Sequence, residues 1–328
     1  MTKRTLEAKQ ESWPIRGNFR ISRGSKTAAD VVVASISQDG MTGRGECVPY
    51  PRYGESCLSV LDEISTVRDA IIHGASRNDL LTLLPSGAAR NAVDCALWDL
   101  EAKLTGKSIG ELAGINAPGR LITAYTLSLD TPENMGAAAA AQSHRPLLKL
   151  KLAGELDVER VAAVRNAAPK TRLIVDANEA WTLDMVEEYF PKMADLGVEL
   201  IEQPLPAGED LPLGDMVRPV PICADESCHD TATLDQVAPL YDYINIKLDK
   251  TGGLTEALLL AEAARDFGLG VMVGCMLGTS LGMAPAMMLG GFARFVDLDG
   301  PLLLDKDRPN GIQFDESVMH VPSRELWG

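Results

Sequence analysis

Asp176, Glu202 and Asp225 are three acids that each end a short apolar run: Leu173–Asn178, Leu200–Pro204 and Pro221–Asp225. Successive runs lie about one strand-plus-helix unit apart. A charged group in an apolar strand is costly unless it is paired or metal-bound. Three carboxylates brought together repel one another and raise each other's proton affinity. A divalent cation removes that conflict, and an oxygen-only donor set suits Mg²⁺, with Mn²⁺ as its substitute. The competing reading is an ion-pair network with nearby lysines. Lys149 and Lys151 alternate within the run Leu147–Leu152 and therefore share a face. Lys247 lies in Ile244–Leu248, four units later and across a closed sheet. A lysine beside a cation and other lysines loses ammonium stability, so its pKa falls towards neutrality and it can act as a base. Two such bases facing each other across a metal-bound carboxylate fit a racemase or epimerase. Asp297 and Asp299 end a further run.

These residues need a scaffold that brings strand ends together. Eight apolar runs recur: Leu121–Leu127, Leu147–Leu152, Leu173–Asn178, Leu200–Pro204, Pro221–Asp225, Ile244–Leu248, Gly270–Met276 and Phe295–Asp299. Helical stretches at 155–168, 182–195, 230–238 and 254–267 separate several of them. Near-continuous apolar strands alternating with helices predict an α/β fold, a (β/α)8-type barrel with its site at the C-terminal strand ends. Upstream, Asp30–Ser37 and Met41–Pro49 read as strands joined by an Asp39-Gly40 hairpin turn. Residues 55–74 and 86–105 read as helices. The expected organisation is an N-terminal α+β capping domain over 1–118 and a barrel over 119–303. A tail over 304–328 is expected to return to the cap.

Composition narrows the function. The chain has 328 residues, 46% hydrophobic and 23% charged, as in ordinary globular proteins. A net charge of −15 argues against a nucleic-acid partner, which needs a surplus of Lys and Arg. No apolar run is long enough to span a bilayer, and the N-terminus lacks the apolar core of a signal peptide. The expectation is a cytoplasmic protein with no membrane partner. The six cysteines form no CxxC pair, which fits reduced thiols. Four histidines without HExxH or HxH spacing speak against a histidine zinc site.

Lys149-Leu-Lys151, Asp176-Ala-Asn178, Glu202-Gln-Pro204, Asp225-Glu-Ser227 and the stretch Lys247 to Gly253 together resemble the enolase superfamily. The resemblance is to its muconate-lactonising subgroup and covers nearly the whole chain. Gly45-Glu-Cys47, Pro51 to Ser56 and Ala92 to Asp99 resemble that group's capping domain. Asp297-Leu-Asp299, Ser22-Arg-Gly-Ser25, the stretch Asn245 to Ala257 and Gly274-Cys-Met-Leu277 narrow it to dipeptide epimerases acting on L-Ala-D/L-Glu.

The resemblance implies that Asp176, Glu202 and Asp225 hold Mg²⁺ and that Lys151 and Lys247 are the acid/base pair. It also implies that Lys149 assists at the substrate carboxylate and that Asp297 and Asp299 take the substrate ammonium. Arg23 would meet the glutamate side chain, and Thr126, Cys275 and Leu277 would line the pocket. The implied reaction is an isomerisation of L-Ala-D-Glu and L-Ala-L-Glu by proton transfer at the glutamate α-carbon, in murein peptide recycling. A homo-oligomer is compatible with this. An N-acylamino acid racemase or o-succinylbenzoate synthase on the same scaffold is the alternative. Asp297 and Asp299 disfavour both, because neither substrate carries a free ammonium. A metal-independent Schiff-base lysine barrel is disfavoured by the acid triad. For Asp297 and Asp299 themselves, a second metal site or a salt bridge to Arg294 competes with ammonium binding.

Overall fold

In the computed structural model, which describes residues 3–328, the chain begins with a three-stranded antiparallel sheet. Its strands are β1 (Thr5–Ile21), β2 (Gly24–Gln38) and β3 (Met41–Cys47). Asp39 and Gly40 make the expected turn, both with positive φ (50° and 79°). β1 has no counterpart in the sequence reading. Its side chains are mostly exposed, with only Leu6 and Ile15 buried, so it lacks an apolar stripe. β2 likewise starts at Gly24 rather than Asp30, and its first residues are polar and exposed.

Helices α1 (Cys57–Thr66), α2 (Arg68–Ile72), α3 (Arg77–Leu83), α4 (Ala88–Thr105) and α5 (Ile109–Ala113) follow. The single helix expected over 55–74 is interrupted at Val67. α4 matches expectation and stops at Gly106, whose left-handed φ of 72° closes the helix end. β3 lies against α4 through Gly43 and Gly45. A Cβ at Gly45 would come within 2.2 Å of the Ala92 carbonyl oxygen. Gly45→Ala is therefore expected to destabilise the fold by about 3 kcal/mol. A thermal melt followed by circular dichroism checks this, and an unchanged Tm would contradict the packing argument.

After β4 (Arg120–Ile122) come β5 (Tyr125–Leu127), α6 (Pro132–Ala141), β6 (Leu147–Lys151), α7 (Asp157–Ala167), β7 (Arg172–Asp176), α8 (Leu183–Asp195) and β8 (Val198–Glu202). Then follow β9 (Ile222–Ala224), α9 (Leu234–Val237), β10 (Tyr243–Ile246), α10 (Leu248–Thr251), α11 (Leu254–Asp266), β11 (Gly270–Val273), α12 (Ser280–Ala286), β12 (Ala293–Val296) and α13 (Gly300–Leu303). The tail adds β13 (Phe314–Asp315) and β14 (Val318–His320).

β5 to β12 form one eight-stranded parallel sheet in sequence order. It curls until its ends approach, where the Ala124 amide donates to the Val296 carbonyl at 2.8 Å. Its inside is filled by Ala124, Leu147, Ile174, Leu200, Cys223, Met272 and Phe295. The expected run Leu121–Leu127 is two strands. β4 pairs antiparallel with β14 in a separate small sheet, and only β5 joins the barrel. The switch occurs at buried Thr123, whose amide donates to Ser317 and whose hydroxyl accepts from the Leu298 amide. The crossover after β8 has only a 3₁₀ turn, Leu211–Asp215, instead of a full helix. Pro204, Pro206, Pro212, Pro219 and Pro221 account for that, since proline removes helix-forming donors.

The joint between the N-terminal elements and the barrel is polar and buried. Glu46 of β3 accepts from the Thr279 amide (2.7 Å), from the Thr279 hydroxyl and from Arg308 (2.7 Å). Asp94 of α4 accepts from the amide and hydroxyl of Thr255, and Arg90 donates to the Thr251 and Gly252 carbonyls. From the barrel, Asp249 accepts from the Val48 amide (2.9 Å) and Asn91 (2.8 Å). At the far end, Trp327 donates to the Cys95 carbonyl of α4. The β1–β2 hairpin reaches over the barrel, where Ile15 bridges to Leu304 and both Phe19 and Leu277 pack against the Ile15, Ala29 and Leu304 cluster. Among the described residues, no helix is long and apolar enough to cross a membrane.

Candidate active site

Parallel pairing puts the charged strand ends level. Lys151 sits opposite Asp176, and Asp176 opposite Glu202, on β6, β7 and β8. Asp225 follows β9 and Lys247 follows β10. Oxygens of Asp176, Glu202 and Asp225 lie within 4.8 Å of one another, and all three residues are buried. Lys151 donates to Asp176 at 2.5 Å and Lys247 to Asp225 at 2.5 Å. Lys149 lies 2.5 Å from Glu202, 2.8 Å from Asp297 and 3.5 Å from Asp176. Burial pushes Glu202 up to about 7, with Asp176 and Asp225 adding to the rise. Asp176 is also buried, but Lys151 and Lys149 outweigh burial and hold it down to about 2. Of the two Glu202 oxygens, one accepts from Asn245 and the other is ion-paired with Lys149. Three convergent, buried carboxylates, an oxygen-only donor set, fit a hard divalent cation.

The depressed lysine pKa expected from the sequence does not arise from the protein groups alone. Burial works against the Lys247 ammonium, but Asp225 and Glu202 outweigh it and keep its pKa well above the ordinary lysine value. Lys149 is held up in the same way, burial being outweighed by Asp297 and Glu202.

Two residues escaped the sequence reasoning. Lys250 is fully buried and donates to the Asp225 carboxylate (2.6 Å), the Asp225 carbonyl and the Asn245 carbonyl (3.0 Å). Asn245 donates to Glu202 at 2.7 Å. The signal for Lys250 was its place one turn beyond Lys247.

Opposite the acids, Asp297 follows β12 and Asp299 immediately precedes α13 without a side-chain bond to it, so the two are not on one strand as expected. Asp297 pairs with Lys149, while Arg294 is exposed and stacks at 6.0 Å over Phe295. Asp299 accepts from the Thr126 amide at 2.6 Å. The Thr126 hydroxyl lies 3.4 Å from Asp297. Burial and the neighbouring Asp297 charge push Asp299 up to about 7.

A cavity of about 440 Å³ opens above these groups. Lys151 and Lys247 line it, as do Asp297, Asp299, Thr126, Cys275 and Leu277. Asp225 reaches its wall, whereas Lys149, Asp176 and Glu202 do not line it. The β1–β2 tip contributes Phe19, Ile21, Arg23 and Lys26. Arg23 is tied into a network of protein groups. Its guanidinium donates to Glu226 (2.6 Å), Glu179 (3.1 Å), the Tyr50 hydroxyl (3.1 Å) and the Asn178 carbonyl (3.0 Å). Arg52 and Lys26 share its neighbourhood.

Two family signatures match the chain. Residues 3–114 match the mandelate racemase / muconate lactonizing enzyme N-terminal domain, and residues 134–325 the enolase C-terminal domain-like family. The chain is 46% identical to the L-Ala-D/L-Glu epimerase of Escherichia coli K12 over 320 residues, 97% of this chain and 100% of that one. It is 44% identical over 300 residues to the N-acetyl-D-glutamate racemase of a Pseudoalteromonas species, covering 91% and 95%. Among solved structures, an enolase family member from Agrobacterium tumefaciens superposes with a TM-score of 0.97 at 52% identity, covering 99% and 100%. That protein is described as homologous to dipeptide epimerases, with bound sodium and L-Ala-L-Glu and an ordered loop.

Proposed function

The chain belongs to the mandelate racemase / muconate lactonizing enzyme family of enolase-like proteins, and from that premise we propose that it is a Mg²⁺-dependent epimerase of L-Ala-D-Glu and L-Ala-L-Glu. The observation that carries the reading is the placement of Lys151 and Lys247. Both line the cavity, from strands four apart in an eight-stranded curled sheet, so they face a bound substrate from opposite sides. Mg²⁺ held by Asp176, Glu202 and Asp225 would supply a Lewis acid for the substrate carboxylate and draw the carboxylates' charge away from the lysines.

One lysine, as a neutral amine, removes the α-proton of the glutamate residue. The opposite lysine, as an ammonium, returns a proton to the other face. One C–H bond breaks, one forms, and the peptide bond is untouched. Lys149 keeps positive charge behind the reacting carboxylate, where negative charge builds up. Asp297 and Asp299 take the dipeptide's ammonium, and Thr126, Cys275 and Leu277 shape the wall around it. The division into a cap (1–118), a barrel (119–303) and a returning tail (304–328) belongs to the same reading. The contact of Trp327 with α4 supports it. A cytoplasmic place in recycling murein peptides, which contain an L-Ala-D-Glu unit, is part of the same proposal. Proton NMR of L-Ala-L-Glu in D₂O with Mg²⁺ is the test. Loss of the α-proton signal with appearance of L-Ala-D-Glu is expected, and an unchanged spectrum refutes the reading.

A second reading, racemisation of an N-acylglutamate, is favoured by the ion pair between Asp297 and Lys149. That pair already neutralises one of the two carboxylates meant for the ammonium. The two readings separate on one substitution. A charge-assisted hydrogen bond contributes about 2–3 kcal/mol, so Asp297→Asn should lower kcat/KM for L-Ala-L-Glu roughly 30- to 150-fold. N-acetyl-L-Glu should be a poor substrate of the wild type. Faster turnover of N-acetyl-L-Glu than of L-Ala-L-Glu would move the assignment to the racemase.

A further inference from the structure

Arg23 has four terminal guanidinium N–H groups, and all four are engaged. Those on one nitrogen go to the Asn178 carbonyl and to Glu179. Both partners are anchored: one is backbone, and Glu179 is also clamped by Arg52 through two bonds of 2.9 Å and by the Ala207 amide. The other nitrogen donates to the Tyr50 hydroxyl and Glu226. Tyr50, Glu226 and Asn178 line the cavity, so of the two carboxylates on Arg23 only Glu226 does; Glu179 does not. Glu226 is held by one oxygen, in its 2.6 Å bond with Arg23. Its side chain is 2% exposed, yet its second oxygen has no hydrogen-bond partner. A carboxylate entering the cavity therefore meets an Arg23 nitrogen that already carries Glu226, a carboxylate that itself lines the cavity.

We propose that Glu226 is a specificity-determining residue: a built-in carboxylate on Arg23 that an acidic substrate side chain must displace. The inference rests on the dipeptide reading of the site. Glu226 and the side-chain carboxylate of the substrate compete for one donor edge, so Glu226 taxes acidic dipeptides and not neutral ones. It thereby moderates the preference that Arg23 alone would confer. Removing its charge strengthens that preference.

The test compares L-Ala-L-Glu with L-Ala-L-Met in wild type, Glu226→Gln, Arg23→Ala and the double variant, all loaded with Mg²⁺. In Glu226→Gln, the ratio of kcat/KM for the acidic over the neutral dipeptide should rise on the order of tenfold, mostly through KM. That rise should vanish on the Arg23→Ala background. Glu226→Asp keeps the charge but retracts it, and should give a smaller rise of the same sign. Calorimetric Kd values for the two dipeptides should follow the same pattern, independent of turnover. An unchanged or lowered ratio in Glu226→Gln overturns the proposal, as does an equal rise without Arg23. Loss of the acidic preference in Lys26→Met but not in Arg23→Ala also overturns it and assigns the side chain to Lys26. If wild type turns over neither dipeptide, the functional reading fails, and the calorimetric ratios still decide the role of Glu226.

Discussion

Asp225→Asn is expected to lower turnover by at least about 1000-fold, the size of a lost Lewis-acid contribution of several kcal/mol. The substitution keeps the shape and removes one negative charge from the triad. In the structure Asp225 also carries two ammoniums, from Lys247 at 2.5 Å and Lys250 at 2.6 Å. Asparagine leaves both buried and facing a neutral amide, and breaking a buried pair costs about 3–5 kcal/mol. Two measurements separate these effects. Calorimetric titration should show Mg²⁺ affinity falling in the variant, and a thermal melt should show lowered Tm. Chelation of wild type should abolish activity, with recovery on adding Mg²⁺ back. Undiminished activity in exhaustively chelated wild type would sink the metal assignment.

Single replacement of either lysine should divide exchange from epimerisation. General-base catalysis contributes about 10²- to 10⁴-fold, so Lys151→Ala and Lys247→Ala should each lower epimerisation at least about 100-fold. Each variant retains one base. Lys151→Ala should still exchange the α-proton of one epimer with D₂O, and Lys247→Ala that of the other. Mass spectrometry of recovered L-Ala-L-Glu and L-Ala-D-Glu reads the deuterium, and chiral chromatography reads the epimers. Wild-type epimerisation in both variants would eliminate the two-base scheme.

The charges were legible in the sequence because parallel strands, covered on both sides, read as apolar runs, and a polar residue ending such a run is conspicuous. That made Lys151, Asp176, Glu202, Asp225 and Lys247 visible with no alignment. β1 was not legible, since a strand with exposed faces has no pattern to detect. The division of Leu121–Leu127 was also hidden, because both halves are β-forming and only the pairing of β4 with β14 tells them apart. Asp299 was placed on a strand for a similar reason: Gly300-Pro301 starts a helix at once, and spacing alone does not distinguish a strand end from a helix cap. The partners of Arg23 come from segments far apart in the chain, at Tyr50, Glu179 and Glu226, and only tertiary structure joins them. The raised pKa of Lys247 has the same origin, because it depends on how closely Asp225 approaches.

The buried joint formed by Glu46, Asp94, Arg90 and Asp249 bears on protein engineering. Recombining the cavity-lining hairpin and the N-terminal helices of one relative with the barrel of another is an obvious route to new substrate ranges. Here the seam between such modules is a set of matched polar groups, not interchangeable apolar surface. Each buried group that loses its partner in a hybrid costs about 1–3 kcal/mol. Glu46 must travel with Thr279 and Arg308, Asp94 with Thr255, and Asn91 with Asp249. Crossover points chosen by domain boundary alone would separate every one of these couples, so a workable graft transplants the β1–β2 tip and leaves the seam whole.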